Sequence, residues 1–232
     1  MSRTSAIIVA AGKGNRMGLD RPKQYLLLDD RPVLSHTLSV FNECNEIDGI
    51  ILVLPEEDFN FCRNSILDDI RIRKPLKLVS GGKERQDSVG RGLEAVEDPE
   101  GIVVIHDGVR PFIKNSEITE CIRQARKTGA CALGVHAQDT LKQTDPEGDV
   151  LQTLERENIW MVQTPQAFRV RIIKTAHEHA AKTGHRATDD ARLVELTGHP
   201  VRMLKGSRIN FKITTPEDLE LARAVVMFRS MT

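Results

Sequence analysis

At 232 residues the chain is long enough for one domain with a sizeable core, and 40% hydrophobic with 28% charged residues excludes a disordered or fibrous protein. Its 33 basic residues are matched by 33 acidic ones, so nothing points to nucleic acid or an anionic membrane as partner, and 4% aromatics leave little to stack bases on. No apolar run approaches the ~20 residues of a membrane helix, and the first residues lead into no secretory segment, so the expected setting is the cytoplasm or a plastid stroma.

In chain order, Ala6 to Val9 predicts a strand that ends in a Gly-rich turn. Val33 to Phe41 is amphipathic, Ile50 to Leu54 is an apolar strand closed by Pro55, and a polar helix is expected over 56–69. Leu76 to Val79 is a strand, followed by a second Gly turn and a helix to about Val96. Ile102 to Ile105 is a fully apolar strand, a helix over 116–127 follows, and Ala130 to Val135 is again strand. Continuous apolar strands alternating with helices predict a mainly parallel sheet covered on both faces, a three-layer α/β architecture in one domain, 1–232.

From about 136 to 165 the rhythm changes, with 136–160 read as an arm. Asp145-Pro146-Glu147-Gly148 is a turn between two runs of alternating polarity, 138–143 and 149–155, which predicts a β-hairpin inserted in the sheet domain, an arm suited to pairing with a second subunit. Thr215, Pro216, Glu217 and Asp218 announce a last helix with Thr215 as its N-cap.

Three constellations carry candidate chemistry. The first strand runs into Ala10-Ala11-Gly12-Lys13-Gly14-Asn15-Arg16, whose glycines let backbone approach an anion. Its spacing is neither a P-loop nor a dinucleotide fingerprint, and its cations Lys13 and Arg16, with Lys23 following, suit a polyphosphate. The second is His106-Asp107-Gly108-Val109-Arg110 at the carboxyl end of the most apolar strand, where open α/β sheets bind ligands. There Asp107 is placed to hold Mg²⁺ with phosphate oxygens and Arg110 to bind phosphate, but Asp107 could equally cap a loop and Arg110 pair with a surface acid. The third is Gly81-Gly82-Lys83-Glu84-Arg85-Gln86-Asp87-Ser88, able to face a base or ribose but equally an ordinary helix start.

Elsewhere Thr188 reads as a good N-cap. His177 and His179 diverge on a helix and share no metal; with His36, His136, His185 and His199 they read as surface or packing residues. The scattered cysteines, Cys44, Cys62, Cys121 and Cys131, are expected to be reduced and structural. No hydrolase triad is visible.

Taken in this order, the blocks resemble the 2-C-methyl-D-erythritol 4-phosphate cytidylyltransferase family of non-mevalonate isoprenoid synthesis, over essentially the whole chain. The resemblance rests on Ala10-Ala11-Gly12, Gly14 and Arg16-Met17 with Pro22-Lys23-Gln24-Tyr25; Gly81-Gly82 with Glu84-Arg85 and Asp87-Ser88-Val89; and His106-Asp107 with Arg110-Pro111. It extends through Asp139-Thr140, Arg156-Glu157-Asn158, Thr164-Pro165-Gln166, Thr188-Asp189, and Lys212 with Thr215 to Leu219.

It implies a Rossmann-like nucleotidyltransferase fold, a homodimer through the 136–160 arm with a composite active site, and reaction of CTP with a sugar-alcohol phosphate in the presence of Mg²⁺. By position, Arg16 and Lys23 stabilise the transition state, while Lys212 and the partner's Arg156 place the attacking phosphate. Asp107 meets metal and substrate, with Arg110, Thr140, Thr164 and Thr188 near the sugar phosphate. Ala10, Ala11, Gly12, Lys13 and Gly14, with Gly81, Gly82, Lys83, Arg85 and Ser88, hold the nucleotide.

Two departures stand out: Gly108-Val109 where the family commonly has two alanines, and Lys83 where an acid is often found. The nearest alternative is a ribitol-5-phosphate cytidylyltransferase, which shares the Pro22-Lys23-Gln24, Thr164-Pro165-Gln166 and Lys212 blocks. Ala10-Ala11-Gly12, Glu84-Arg85, Arg156-Glu157-Asn158 with Trp160, and Thr188-Asp189 favour the methylerythritol substrate. A non-catalytic nucleotide-binding homologue would have no need of Arg16, Lys23, Asp107 and Lys212 together.

Overall fold

The computed structural model describes residues 2–12 and 22–230. The chain begins with β1 (Thr4–Val9), then a two-residue ladder of β2 (Leu27–Leu28) with β3 (Arg31–Pro32), then α1 (Val33–Glu43) and β4 (Gly49–Leu54). The stretch expected as one polar helix is a broken helical run, with α2 (Phe59–Cys62), a π turn at Arg63–Leu67 and α3 (Asp68–Ile70). There follow β5 (Leu76–Ser80), α4 (Arg85–Glu94), β6 (Ile102–Asp107), α5 (Asn115–Thr128) and β7 (Ala130–His136). The rest is β8 (Leu141–Thr144), β9 (Val150–Leu154), β10 (Trp160–Arg169), α6 (Val170–Thr183), α7 (Asp190–Leu196), β11 (Arg202–Lys205) and α8 (Pro216–Ser230).

Among the described residues, seven strands form one sheet in the order β11-β7-β10-β6-β1-β4-β5. Every pairing is parallel except those of β10, which runs antiparallel to both β6 and β7. The carboxyl ends of all the strands except β10 therefore lie along one edge. Side chains alternate between two cores. Ala6, Ile8, Leu52 and Val104 face α1 and α5, whereas Ile7, Val53, Val103 and Ile105 face α4, α6 and α7. Burying each such aliphatic side chain contributes roughly 1.5–3 kcal/mol, and with both faces covered the strands need no polar alternation. This is why their sequences read as unbroken apolar runs.

A smaller cluster of Leu28, Val33, Val109, Phe112, Ile213, Leu219 and Ala222 seats α8 against the loop that follows β6. The α8 start is as the sequence announces it: the Asp218 amide donates to Thr215 Oγ1 at 3.3 Å, and the Thr215 amide to Asp218 Oδ2 at 2.9 Å. The expected arm is also present. β8 and β9 pair only with each other, between the end of β7 at His136 and the start of β10 at Trp160. The four cysteines are free and buried. Among the described residues no helix is long and apolar enough to cross a membrane.

Candidate active site

The site is built at the edge where β1 and β6 end. After β1 the backbone continues through Ala10, whose amide donates to Val53 O at 2.9 Å, to Ala11 and Gly12. The loop after β5 comes up beside it, with the Gly81 amide donating to Leu54 O at 2.8 Å. A Cβ on Gly81 would stand 2.2 Å from the Cβ of Ala11, so only glycine lets the two loops touch. Ser88 ties the second loop to α4: its Oγ accepts from the Gly82 amide and donates to Glu84 O, both at 3.0 Å.

Together these loops wall a hollow of about 640 Å³ that Lys23, Gln24, Lys83, Arg85, Asp107 and Lys212 also line. Of the expected nucleotide-binding residues, Ala10, Ala11, Gly12, Gly82, Lys83, Arg85 and Ser88 face this space, with Gly81 behind them. Lys13, Gly14 and Arg16 lie outside the described residues.

A second hollow of about 610 Å³ adjoins the first, lined by Arg110, Gln163, Thr164, Thr188 and Asp189 and sharing Arg85, Asp107 and Lys212 with it. Four of the expected sugar-phosphate residues thus border it, Asp107, Arg110, Thr164 and Thr188. Thr140 and Arg156 do not; both are exposed beside the arm, where Arg156 donates to Gln138 O. A further hollow of about 650 Å³ between α4 and α6 has neither the glycine loops nor Asp107 and Lys212 on its walls.

Asp107 is the electrostatic centre. It is 5% exposed. Its Oδ1 accepts from Arg85 Nε at 3.0 Å, and its Oδ2 faces Lys212 Nζ at 2.9 Å and Arg110 Nε at 3.5 Å. Burial alone would push this carboxyl up, but Arg85, then Lys212 and Arg110, reverse the effect and hold it far below the usual carboxylate range. Arg85 also donates through Nη1 to Asp190 Oδ2 at 2.8 Å, so it spans two buried carboxylates. Its own pKa is raised, because Asp190 and Asp107 outweigh its desolvation.

A carboxylate offers about four lone-pair positions, and the described partners of Asp107 engage three, leaving one on Oδ1. That suits a Mg²⁺ ion taking one carboxylate oxygen and filling its remaining positions with phosphate oxygens and water. Among the described residues no group of three His, Cys, Asp or Glu side chains forms a metal cage.

Several supporting residues carry only weak signals in the sequence. Asp190 has the same residue type as its neighbour Asp189, yet Asp190 is 1% exposed while Asp189 caps α7 by accepting from the Arg192 amide. Asp189, and not Thr188, is the N-cap; its other oxygen accepts from Gln166 Nε2 at 2.8 Å. Gln166 Oε1 in turn accepts from the Ala191 amide at 2.9 Å, pinning α7 to β10. His177, expected at the surface or in packing, is half-buried with Nε2 3.5 Å from Asp190 Oδ1.

Asn210, fully buried, donates to Thr164 O at 2.8 Å, and its own carbonyl accepts from Arg110 Nη1 at 2.8 Å, which fixes the segment carrying Lys212. His106 is fully buried too, and desolvation pushes its pKa down to about 4 despite the hydrogen bond to Arg110 O. Asn210 owes its role to contacts with residues far away in the chain, whereas His106 belongs to the block that closes the most apolar strand.

Two adjoining hollows that share a wall of Arg85, Asp107 and Lys212, one of them lined by glycine-loop residues, on a mostly parallel three-layer sheet, suit a nucleotidyltransferase. The profile of the family described as IspD: 2-C-methyl-D-erythritol 4-phosphate cytidylyltransferase matches residues 4–228, and the chain belongs to that family. A 2-C-methyl-D-erythritol 4-phosphate cytidylyltransferase from Pelotomaculum thermopropionicum is 44% identical over 229 residues, 99% of this chain and 96% of the relative. One from Syntrophotalea carbinolica is 48% identical over 94% of both chains. The crystal structure of the 4-diphosphocytidyl-2C-methyl-D-erythritol synthase of Anaerococcus prevotii superposes with a TM-score of 0.86 at 34% identity, covering 97% of this chain and 96% of that one.

Proposed function

We propose that the protein joins CTP to 2-C-methyl-D-erythritol 4-phosphate, giving 4-diphosphocytidyl-2-C-methyl-D-erythritol and pyrophosphate. The observation that carries this reading is the wall of Asp107, Lys212 and Arg85 common to both hollows, with Lys23 on the glycine-loop side. The nucleotide occupies the glycine-lined hollow and the alcohol phosphate the other. An oxygen of the alcohol phosphate attacks the α-phosphorus of CTP; that P–O bond forms as the bond to the β-phosphate oxygen breaks, and pyrophosphate leaves. The nucleophile is already ionised near neutral pH, so no general base is required.

What the protein must supply is alignment of two anions that repel each other. Lys212, at the junction, faces both phosphates. Lys23 and Arg16 attend the α-phosphate, and Arg110 the alcohol phosphate. Asp107 would hold a Mg²⁺ ion, which would add positive charge beside the triphosphate. Arg156 completes the site from the partner subunit of a homodimer joined through the arm. The free cysteines suit a reducing compartment, and we place the enzyme in the cytoplasm.

The test is pyrophosphate release from CTP and Mg²⁺ with either methylerythritol phosphate or ribitol 5-phosphate. Release with the first and not the second is expected; the reverse would overturn the substrate assignment.

A further inference from the structure

Thr164, only 4% exposed, borders the second hollow, and its neighbours fix where its hydroxyl proton goes. The Asp107 amide can only donate, and it points at Thr164 Oγ1 from 3.0 Å. Oγ1 therefore accepts there. The hydroxyl's own proton has one acceptor among the described residues, Nδ1 of His106 at 3.1 Å. An accepting Nδ1 leaves the ring proton on Nε2, which stands 3.1 Å from the carbonyl oxygen of Arg110, a group that can only accept. Both ends of the chain thus demand the same direction.

The opposite tautomer fails at both ends. A proton on Nδ1 would put two donors on Thr164 Oγ1, and the lone pair of Nε2 would face the lone pairs of the Arg110 carbonyl. The ring has no freedom to escape, being fully buried and packed on Phe41 with centroids 5.0 Å apart.

We propose that His106, as its Nε2–H tautomer, is a positioning residue that turns the Thr164 hydroxyl away from the hollow and leaves Thr164 an acceptor only toward the bound alcohol phosphate. Thr164 then has no proton to give a phosphate oxygen. Its remaining lone pair reads a hydroxyl of the substrate carbon chain, and phosphate recognition falls to the cations Arg110 and Lys212 with the partner's Arg156. This second part rests on the function proposed above; the tautomer does not.

The tautomer is read from long-range proton–nitrogen correlation spectra of the full chain labelled in histidine nitrogen, with His106 assigned by its loss in His106→Asn or His106→Phe. An unprotonated Nδ1 beside a protonated Nε2 is expected, and a protonated Nδ1 overturns the proposal whether or not the enzyme turns over. Kinetics test the role. Thr164→Val and His106→Phe should each raise KM for the alcohol phosphate about tenfold, the worth of one lost hydrogen bond, with KM for CTP within about twofold.

The double variant should be no worse than the worse single one, and Thr164→Ser should recover most of the loss. Against one of the mono-deoxy substrate analogues the Thr164→Val penalty should vanish. Multiplying effects in the double variant, or a penalty that persists against every analogue, would overturn the assignment of Thr164. A wild-type enzyme inactive with methylerythritol phosphate would instead overturn the functional reading and leave the spectroscopic test standing.

Discussion

Lys212 and Asp107 stand 2.9 Å apart, with Arg85 and Arg110 on the same carboxylate. Removing Lys212 therefore leaves Asp107 compensated for folding, while the junction between the hollows loses the cation that faces both phosphates. Lys212→Ala is expected to lower kcat by about 10²–10³, the usual loss for one preorganised charge, and to leave the denaturation midpoint almost unmoved. Steady-state kinetics alongside thermal unfolding check both.

His106 gives a separate prediction in acid. Unfolded, its ring titrates near the ordinary value of 6.5; folded, it does so at about 4. Between these values the unfolded chain binds a proton that the native state refuses, so stability falls as pH drops through the window and is unaffected above it. The loss is on the order of 3 kcal/mol by pH 4. The stability gap between wild type and His106→Phe, measured by urea unfolding, should shrink over that interval; a gap constant from pH 7 to 4 would refute the assigned burial effect.

At the scale of elements, legibility followed how local the deciding forces are. β1, β4, β6 and β7 are buried on both faces, and their apolar runs report this directly, whereas β5 at the sheet edge keeps Lys77 exposed. β10 went unread because Gln163, Thr164, Pro165 and Gln166 interrupt its pattern; those polar groups are buried by the site and not by water-facing alternation. α6 shows only as the helix on which His177 and His179 diverge, α7 only through the cap signal at Thr188, and the break at Arg63–Leu67 leaves no signal in a polar stretch. In the site, residues flanked by glycines or at the end of an apolar strand were legible. Gln166 is legible only through the Thr164-Pro165-Gln166 block, and Asp190 and Asn210 carry only weak signals, since their partners are 105 and 46 residues away.

The arm of β8 and β9 was legible from its turn, and it exposes Val150 and Leu151 at 58% and 62%. In the homodimer proposed above, a second copy of the arm would cover them by symmetry. If Arg156 acts across that interface, neither Arg156→Ala nor Lys23→Ala alone retains a complete site. Mixing them after subunit exchange should restore about a quarter of wild-type activity, because half the dimers are mixed and each holds one intact site. No recovery in a mixture proven to exchange would place Arg156 outside the site.

For the whole molecule, the central claim is that the sheet edge presses two anions together and uses no enzyme nucleophile. A direct displacement at the α-phosphorus inverts its configuration, whereas passage through a covalent cytidylyl-enzyme inverts it twice. Turnover of a single diastereomer of α-thio-CTP with methylerythritol phosphate, with the product's configuration read by phosphorus NMR, decides between them. Inversion is the predicted result. Retention would contradict it, by revealing a nucleophile that neither hollow accounts for.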